Sequence, residues 1–146
     1  MRQLLAIAYE DETLAGRAAE EVGRCAGELA IDPDATSVAI CGRDGGVQLT
    51  TSRRSGATGR WSEFWAVLLD AVMTADAEAE ALGREFPARL RRALVPGTSA
   101  LFMALAAGRE QAVLEVLSPL DGEQLACALP GDLPRRWGVR GLHFET

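Results

Sequence analysis

Residues 4–9 read LLAIAY and residues 99–106 read SALFMALA, and these two apolar stretches decide the fold. A strand with one wet face alternates apolar and polar side chains, whereas both stretches are apolar on both faces. One face would carry Leu5, Ile7, Leu101, Met103 and Leu105, and the other Leu4, Ala6, Ala8, Ala100, Phe102 and Ala104. We therefore expect two central strands that are covered on both sides.

Weaker patterns supply the remaining elements. A helix begins at Asp11 or Thr13, the segments 37–41 and 47–51 form a hairpin around a glycine-rich turn, and another strand is predicted at 123–129. Without the hairpin extension and the helical insert, the order is βαβ–βαβ. This order predicts an α+β fold, namely a ferredoxin-like split-βαβ sandwich with an added hairpin strand and a helical insert between the two halves.

The expected domain organisation is a single ferredoxin-like domain over residues 1–130, with 57–94 as its helical insert. Residues 131–146, with proline and glycine, form an irregular C-terminal tail.

The alanine-rich face of the two central strands needs a cover. At about 25 cal/mol per Å² of apolar surface, exposing such a face to water would cost several kcal/mol of folding free energy. This loss is comparable with the net stability of a domain. The same surface of a second chain would cover it in a homodimer, and the chain's own insert would cover it without one. Both solutions remain open at this point.

The insert carries apolar and aromatic residues at helical spacing: Trp61, Phe64, Trp65, Leu68 and Val72. Clustered aromatic side chains are typical of interface anchors and also of ordinary cores. We expect this stripe to serve self-association or packing of the insert, in preference to an unknown protein partner.

Composition excludes several classes of function. The chain has 146 residues, a net charge of −6, and only arginine among its fifteen basic residues, which argues against a nucleic-acid partner. No apolar run approaches the roughly 18 to 20 residues of a transmembrane helix, and membrane contact is not expected. Three scattered cysteines without a Cys-x-x-Cys pair or a Cys/His cluster predict no metal site and a cytoplasmic location.

Three residues are weak candidates for a ligand site. Glu10 and Asp11 lie where a strand passes into a helix, and Cys41 lies at the mouth of the hairpin turn. Carboxylates there act in acid–base chemistry or as helix caps, and a cysteine there is a reactive thiol or a buried strand residue. No catalytic residue and no cofactor is assigned, and the interpretation leans towards a protein that is not an enzyme.

Three segments resemble the bacterial domain-of-unknown-function 1269 family: LLAIAYEDET at 4–13, the hairpin at 38–47, and above all LVPGTSALF at 94–102. The resemblance spans residues 3–130. The family has no established activity, so the resemblance implies no catalytic residue. Members are often labelled predicted membrane proteins because of a long apolar insert, but the insert here carries Glu63 and Asp70.

The leading functional expectation is a non-enzymatic module that self-associates and acts as a structural or regulatory interaction protein. The alternative is a small-molecule-binding protein or enzyme of the dimeric α+β type, with a pocket between sheet and insert. A third possibility is a peripheral membrane protein that uses the helix at 61–73.

Overall fold

A computed structural model describes residues 2–29, 35–51, 59–106 and 108–129. Its strands are β1 (Arg2–Tyr9), β2 (Thr36–Cys41), β3 (Val47–Thr51), β4 (Thr98–Ala106) and β5 (Glu123–Leu129). Its α-helices are α1 (Leu14–Arg24), α2 (Ala26–Leu29), α3 (Gly59–Met73), α4 (Glu85–Ala93) and α5 (Glu110–Val116), and a 3-10 helix spans Ala77–Leu82. The predicted tail at 131–146 lies outside the described residues.

The fold is α+β and is built on one five-stranded sheet in the order β5-β1-β4-β2-β3. Every neighbouring pair is antiparallel. Consequently β1 and β2 run parallel with β4 between them, and β4 and β5 run parallel with β1 between them. β3 pairs with β2 at one edge of the sheet, and β5 forms the other edge.

The register of the central pair confirms the two predicted faces. Ile7 lies opposite Leu101, and Ala6 lies opposite Phe102. Since side chains alternate along a strand, the leucine-rich and alanine-rich sets separate onto opposite sides of the sheet. Each set belongs to its own buried cluster.

Helices α1 and α5 cover the leucine-rich face. The buried residues that these two helices contribute are Ala15, Ala18, Val22 and Val113. Their three- and four-residue spacing along α1 is that of a helix with one apolar stripe.

The chain's own insert covers the alanine-rich face. Phe64, Trp65 and Leu68 of α3 are at most 1% exposed and share a cluster with Ala6 and Phe102. The rings of Trp65 and Phe102 lie 5.8 Å apart between their centroids. Because alanine side chains are short, the helix approaches the sheet closely enough for its aromatic rings to fill the gap.

Two arginines of α4 fix the insert in place. The guanidinium of Arg91 donates to the carbonyl oxygen of Val72 at 2.9 Å, in the last turn of α3, where carbonyls lack partners within the helix. Arg89 forms an ion pair with Glu123 of β5, with 3.2 Å between Nη2 and Oε2. α4 is thus tied to both the preceding helix and the sheet edge.

Replacing Trp65 by alanine tests the docking of the insert. We expect Trp65→Ala to lower the free energy of unfolding by about 3–5 kcal/mol, because it opens a cavity between α3 and the sheet. Urea unfolding followed by circular dichroism measures the change. Val95→Ala is the control, since Val95 is 44% exposed and its truncation should cost about 0.5 kcal/mol or less. A loss below about 1 kcal/mol for Trp65→Ala would contradict this packing.

Candidate functional site

Three strand ends meet at one side of the sheet. Tyr9 at the end of β1 pairs with Ser99 of β4, and Cys41 at the end of β2 pairs with Thr98. The predicted candidates Glu10, Asp11 and Cys41 therefore lie at the same end of the sheet. We call Tyr9, Asp11, Cys41 and Ser99 the strand-end cluster.

Ser99 connects β4 to the loop before α1. Its side chain is fully buried, and its hydroxyl donates to the carbonyl oxygen of Asp11 at 2.6 Å. The hydroxyl oxygen of Ser99 in turn accepts from the backbone N–H of Ala15 at 3.1 Å. Both bonds go to backbone groups, so the hydroxyl fixes the entry into α1 and is not free to act as a nucleophile.

Asp11 serves the same loop with its carboxylate. Oδ1 accepts from the backbone N–H of Thr13 at 2.6 Å and also from the Thr13 hydroxyl. These bonds to the Thr13 side chain and backbone lower the pKa of Asp11, because they favour the ionised form. An ionised, exposed carboxylate that holds its own loop is a poor general acid. Its neighbour Glu10 is exposed.

Cys41 is a buried strand cysteine. It is 2% exposed, and its Sγ lies 4.0 Å from the carbonyl oxygen of Gly45. Burial raises the pKa of the thiol, and the charges of Asp44 and Glu12 raise it further. The thiolate is therefore disfavoured. The nearby Arg43 is exposed, and its Nε lies 4.0 Å from a carboxylate oxygen of Glu12.

The glycine-rich turn between β2 and β3 is closed on itself. The N–H of Gly42 donates to the carbonyl of Gly46, and that of Gly45 to the carbonyl of Gly42, each at 2.9 Å. The N–H of Gly46 donates to Oδ1 of Asp44, also at 2.9 Å. These amides are already bonded within the turn, so the turn is no cradle for a phosphate.

The segment VPGT at 95–98 is a turn that leads into β4. Gly97 has a φ of +88°, which glycine adopts at little cost, and the N–H of Thr98 donates to the carbonyl of Val95 at 3.2 Å. The N–H of Gly97 donates to the carbonyl of Cys41 at 2.9 Å and so joins the turn to the end of β2. The LVPGTSALF segment, which carries most of the family resemblance, thus has a structural role in forming this turn.

Tyr9 packs its ring against a glycine. A Cβ at Gly122 would lie 2.7 Å from Cε1 of Tyr9, so no larger residue fits there without displacement. Tyr9 is 1% exposed, and burial raises its pKa to about 12. Its hydroxyl finds no hydrogen-bond partner within the described ranges. At neutral pH the phenol stays protonated and is no base.

The predicted interaction stripe lies in the core. Phe64, Trp65, Leu68 and Val72 are buried against the sheet, and the side chain of Trp61 lies outside the described residues. The rings of Trp65 and Phe102 occupy the space where the ligand pocket was expected, between sheet and insert.

A groove of about 170 Å³ lies on the insert itself, between the 3-10 helix and α4. Arg84, Arg91, Asp76 and Glu80 line it, so cationic and acidic side chains balance. Arg91 donates to the carbonyl of Val72, and Asp76 accepts from the N–H of Glu78. The groove therefore has neither two uncommitted arginines for an anion nor two uncommitted carboxylates for a cation.

The described part of the chain has neither a metal-binding cluster nor a membrane-spanning helix. Within residues 2–29, 35–51, 59–106 and 108–129, no group of three or more His, Cys, Asp or Glu side chains is placed to hold a metal ion. No helix in that part of the chain has the length and apolar character needed to cross a bilayer.

The structure therefore defines an α+β domain whose polar strand-end residues bind its own loops. Comparisons with protein-family models, with curated proteins and with solved structures give no match to this chain.

Sequence reasoning missed the most connected residue of the cluster, Ser99. The signal was the pair of hydroxyl residues, Thr98 and Ser99, at the start of an otherwise apolar strand, since buried polar groups in native proteins generally have hydrogen-bond partners. Asp44 had a comparable signal, as an acidic residue among glycines in a short hairpin turn.

Removing the Ser99 hydroxyl tests its structural role. We expect Ser99→Ala to lower the free energy of unfolding by about 1–3 kcal/mol, because it leaves the buried N–H of Ala15 and the partly buried carbonyl of Asp11 without their partner. Ser118→Ala is the matched control, since that exposed hydroxyl bonds a carbonyl three residues away and its loss should cost about 0.5 kcal/mol or less. Equal effects of the two substitutions would overturn the assigned role.

Alkylation kinetics test the state of the thiols. Burial also raises the pKa of Cys127, to about 12. We expect Cys41 and Cys127 to react with iodoacetamide at pH 8 at least about tenfold more slowly in the folded protein than in urea, because the thiolate is the reactive form. Peptide mass spectrometry over time gives both rates. Labelling of folded Cys41 at the rate seen in urea would identify it as a reactive thiol.

Proposed function

We propose that this chain is a non-enzymatic α+β module that self-associates and acts as a structural or regulatory interaction protein. The observation that carries the proposal is the edge position of β5, a seven-residue strand that pairs with β1 and has no second strand neighbour among the described residues. Unpaired edge strands are ready templates for another strand.

The proposed fold type is the ferredoxin-like split-βαβ sandwich with one added strand. The order β5-β1-β4-β2 supports it, because each parallel pair encloses one strand of the other βαβ unit. β3 is then the added hairpin strand beyond β2. The proposed kinship with the domain-of-unknown-function 1269 family rests on the LVPGTSALF segment, which builds the turn into β4.

The strand-end cluster supports a role without catalysis. Ser99 and Asp11 bind loop backbone, and the thiol of Cys41 is held protonated. A nucleophile must instead be paired with a base that activates it. We place the module in the cytoplasm, and three cysteines that form no disulfide fit a reducing compartment.

Self-association now needs a different surface from the one that first suggested it. The alanine-rich face is covered by the chain's own insert, so it does not require a second copy. Val95 is the one large apolar residue exposed in the part of the chain that the structure describes. Among the described residues, we assign association to the backbone N–H and C=O groups at the sheet edge.

The molar mass in solution tests this proposal. We expect light scattering during size-exclusion chromatography to give twice the chain mass of 15.6 kDa at micromolar concentrations. Because each chain carries a net charge of −6, raising the salt from about 0.05 to 0.5 M should strengthen the dimer by screening repulsion. A mass of one chain at every concentration and salt level would overturn self-association.

A further inference from the structure

We propose that β5 is the self-association surface and that it pairs antiparallel with β5 of a second copy around a two-fold axis at Ala126. This inference rests on the self-association proposed above and adds the strand, the partner and the register.

β5 is a regular edge strand. It pairs with β1 at seven successive positions, from Glu123 opposite Ala8 to Leu129 opposite Arg2. On its outer side, none of the residues described by the structure forms a strand.

Along an antiparallel strand, successive residues point their backbone N–H and C=O groups to opposite sides. One known direction in β5 therefore gives the direction at every other residue. The carbonyl of Gln124 points away from β1, because it accepts from Nη2 of Arg89 at 3.4 Å. Residues of the same parity direct both N–H and C=O to the same side. Ala126 and Ala128 therefore present their backbone groups to the open edge.

Arg89 of α4 covers the first two residues of β5, where it bonds Glu123 and the carbonyl of Gln124. From Leu125 onward the strand lacks the features that protect natural edges. Residues 125–129 read LACAL, without charge, glycine or proline, and Ala126 and Ala128 are exposed. Edges that avoid pairing are short or carry charge or proline. The opposite edge strand β3 has only five residues. β5 is thus the more favourable edge for pairing.

A two-fold axis at Ala126 makes the strand complementary to itself. Ala126 then pairs with Ala126 of the second copy, and Gln124 lies opposite Ala128. The carbonyl of Gln124 accepts from Arg89 and has a second lone pair for the partner strand. Glu123 lies across from Leu129 and not from another Glu123, and its charge is already paired with Arg89. No like charges face each other, and closed two-fold contacts are the commonest form of self-association.

A second copy fits this edge better than the chain's own C-terminal residues. The sequence after β5 contains Pro130 and Pro134 and three glycines. Proline has no N–H to donate, and both residue types are depleted in strands. The β5 segment of another copy has neither.

Disulfide crosslinking tests the register. In a background with Cys25→Ala and Cys127→Ala, we expect Ala126→Cys to form a covalent dimer under mild oxidation, because residues directly opposite in such a pair have Cα atoms about 5.5 Å apart. Ala128→Cys is the matched control, since its two copies would lie roughly 13 Å apart along the strands. Crosslinking of Ala128→Cys as fast as Ala126→Cys would overturn the register.

A charge placed on the axis tests the surface. We expect Ala126→Arg to weaken the dimer at least about tenfold, because two arginines would face each other. Ala66→Arg, at an exposed position of α3, should leave the dimer unchanged.

The outcomes separate this inference from the proposed function. A dimeric wild type that dissociates with Ala126→Arg supports both. A wild type that stays dimeric with Ala126→Arg overturns the β5 interface and leaves self-association standing. A monomeric wild type overturns both, and protection of the β5 amides from hydrogen exchange in that monomer would assign the edge to the chain's own residues.

Discussion

The pairing of β1 with β4 is the interaction on which the other elements depend. These strands lie at the centre of the sheet, and their side chains enter both buried clusters. Because both faces of this strand pair are apolar, exposing either to water would cost folding free energy, and helices cover both sides of the sheet. α1 and α5 meet this need on one face, and α3 with α4 meets it on the other. The edge strands then extend a sheet whose centre is already enclosed.

Polar residues at the strand ends connect the loops to this centre. Ser99 and the N–H of Gly97 bond backbone groups from other parts of the chain, whereas the exposed carboxylate of Asp11 bonds the N–H of Thr13 within its own loop. The folded state loses stability when a buried polar group has no hydrogen-bond partner. Such bonds therefore favour the one loop arrangement in which every buried group is paired. The residue types that resemble a catalytic set in the sequence are here the groups that hold the strand ends and loops together.

Local pattern predicted much of this fold, including the α+β class, the strands at 47–51 and 123–129, and the two faces of the central pair. It did not decide what covers the alanine-rich face, because an apolar stripe looks the same whether it packs on its own sheet or on another copy. The roles of Ser99 and Arg89 depend on partners 88 and 34 residues away, which no local spacing contains. The burial of Phe64 and Trp65 was foreseen only as one of two alternatives.

The central pair also orders events during synthesis. Tyr9 pairs with Ser99 and Arg2 with Ala106, so the partners are 90 to 104 residues apart in the sequence. On the ribosome, β1 and the whole insert emerge before the strand that joins them, and the aromatic side of α3 lacks Phe102 until then. Contacts this distant in sequence form slowly. Before β4 emerges, β2 and β3 are the only pair that the described strands can form, so the aromatic side of α3 has no complete sheet to pack on.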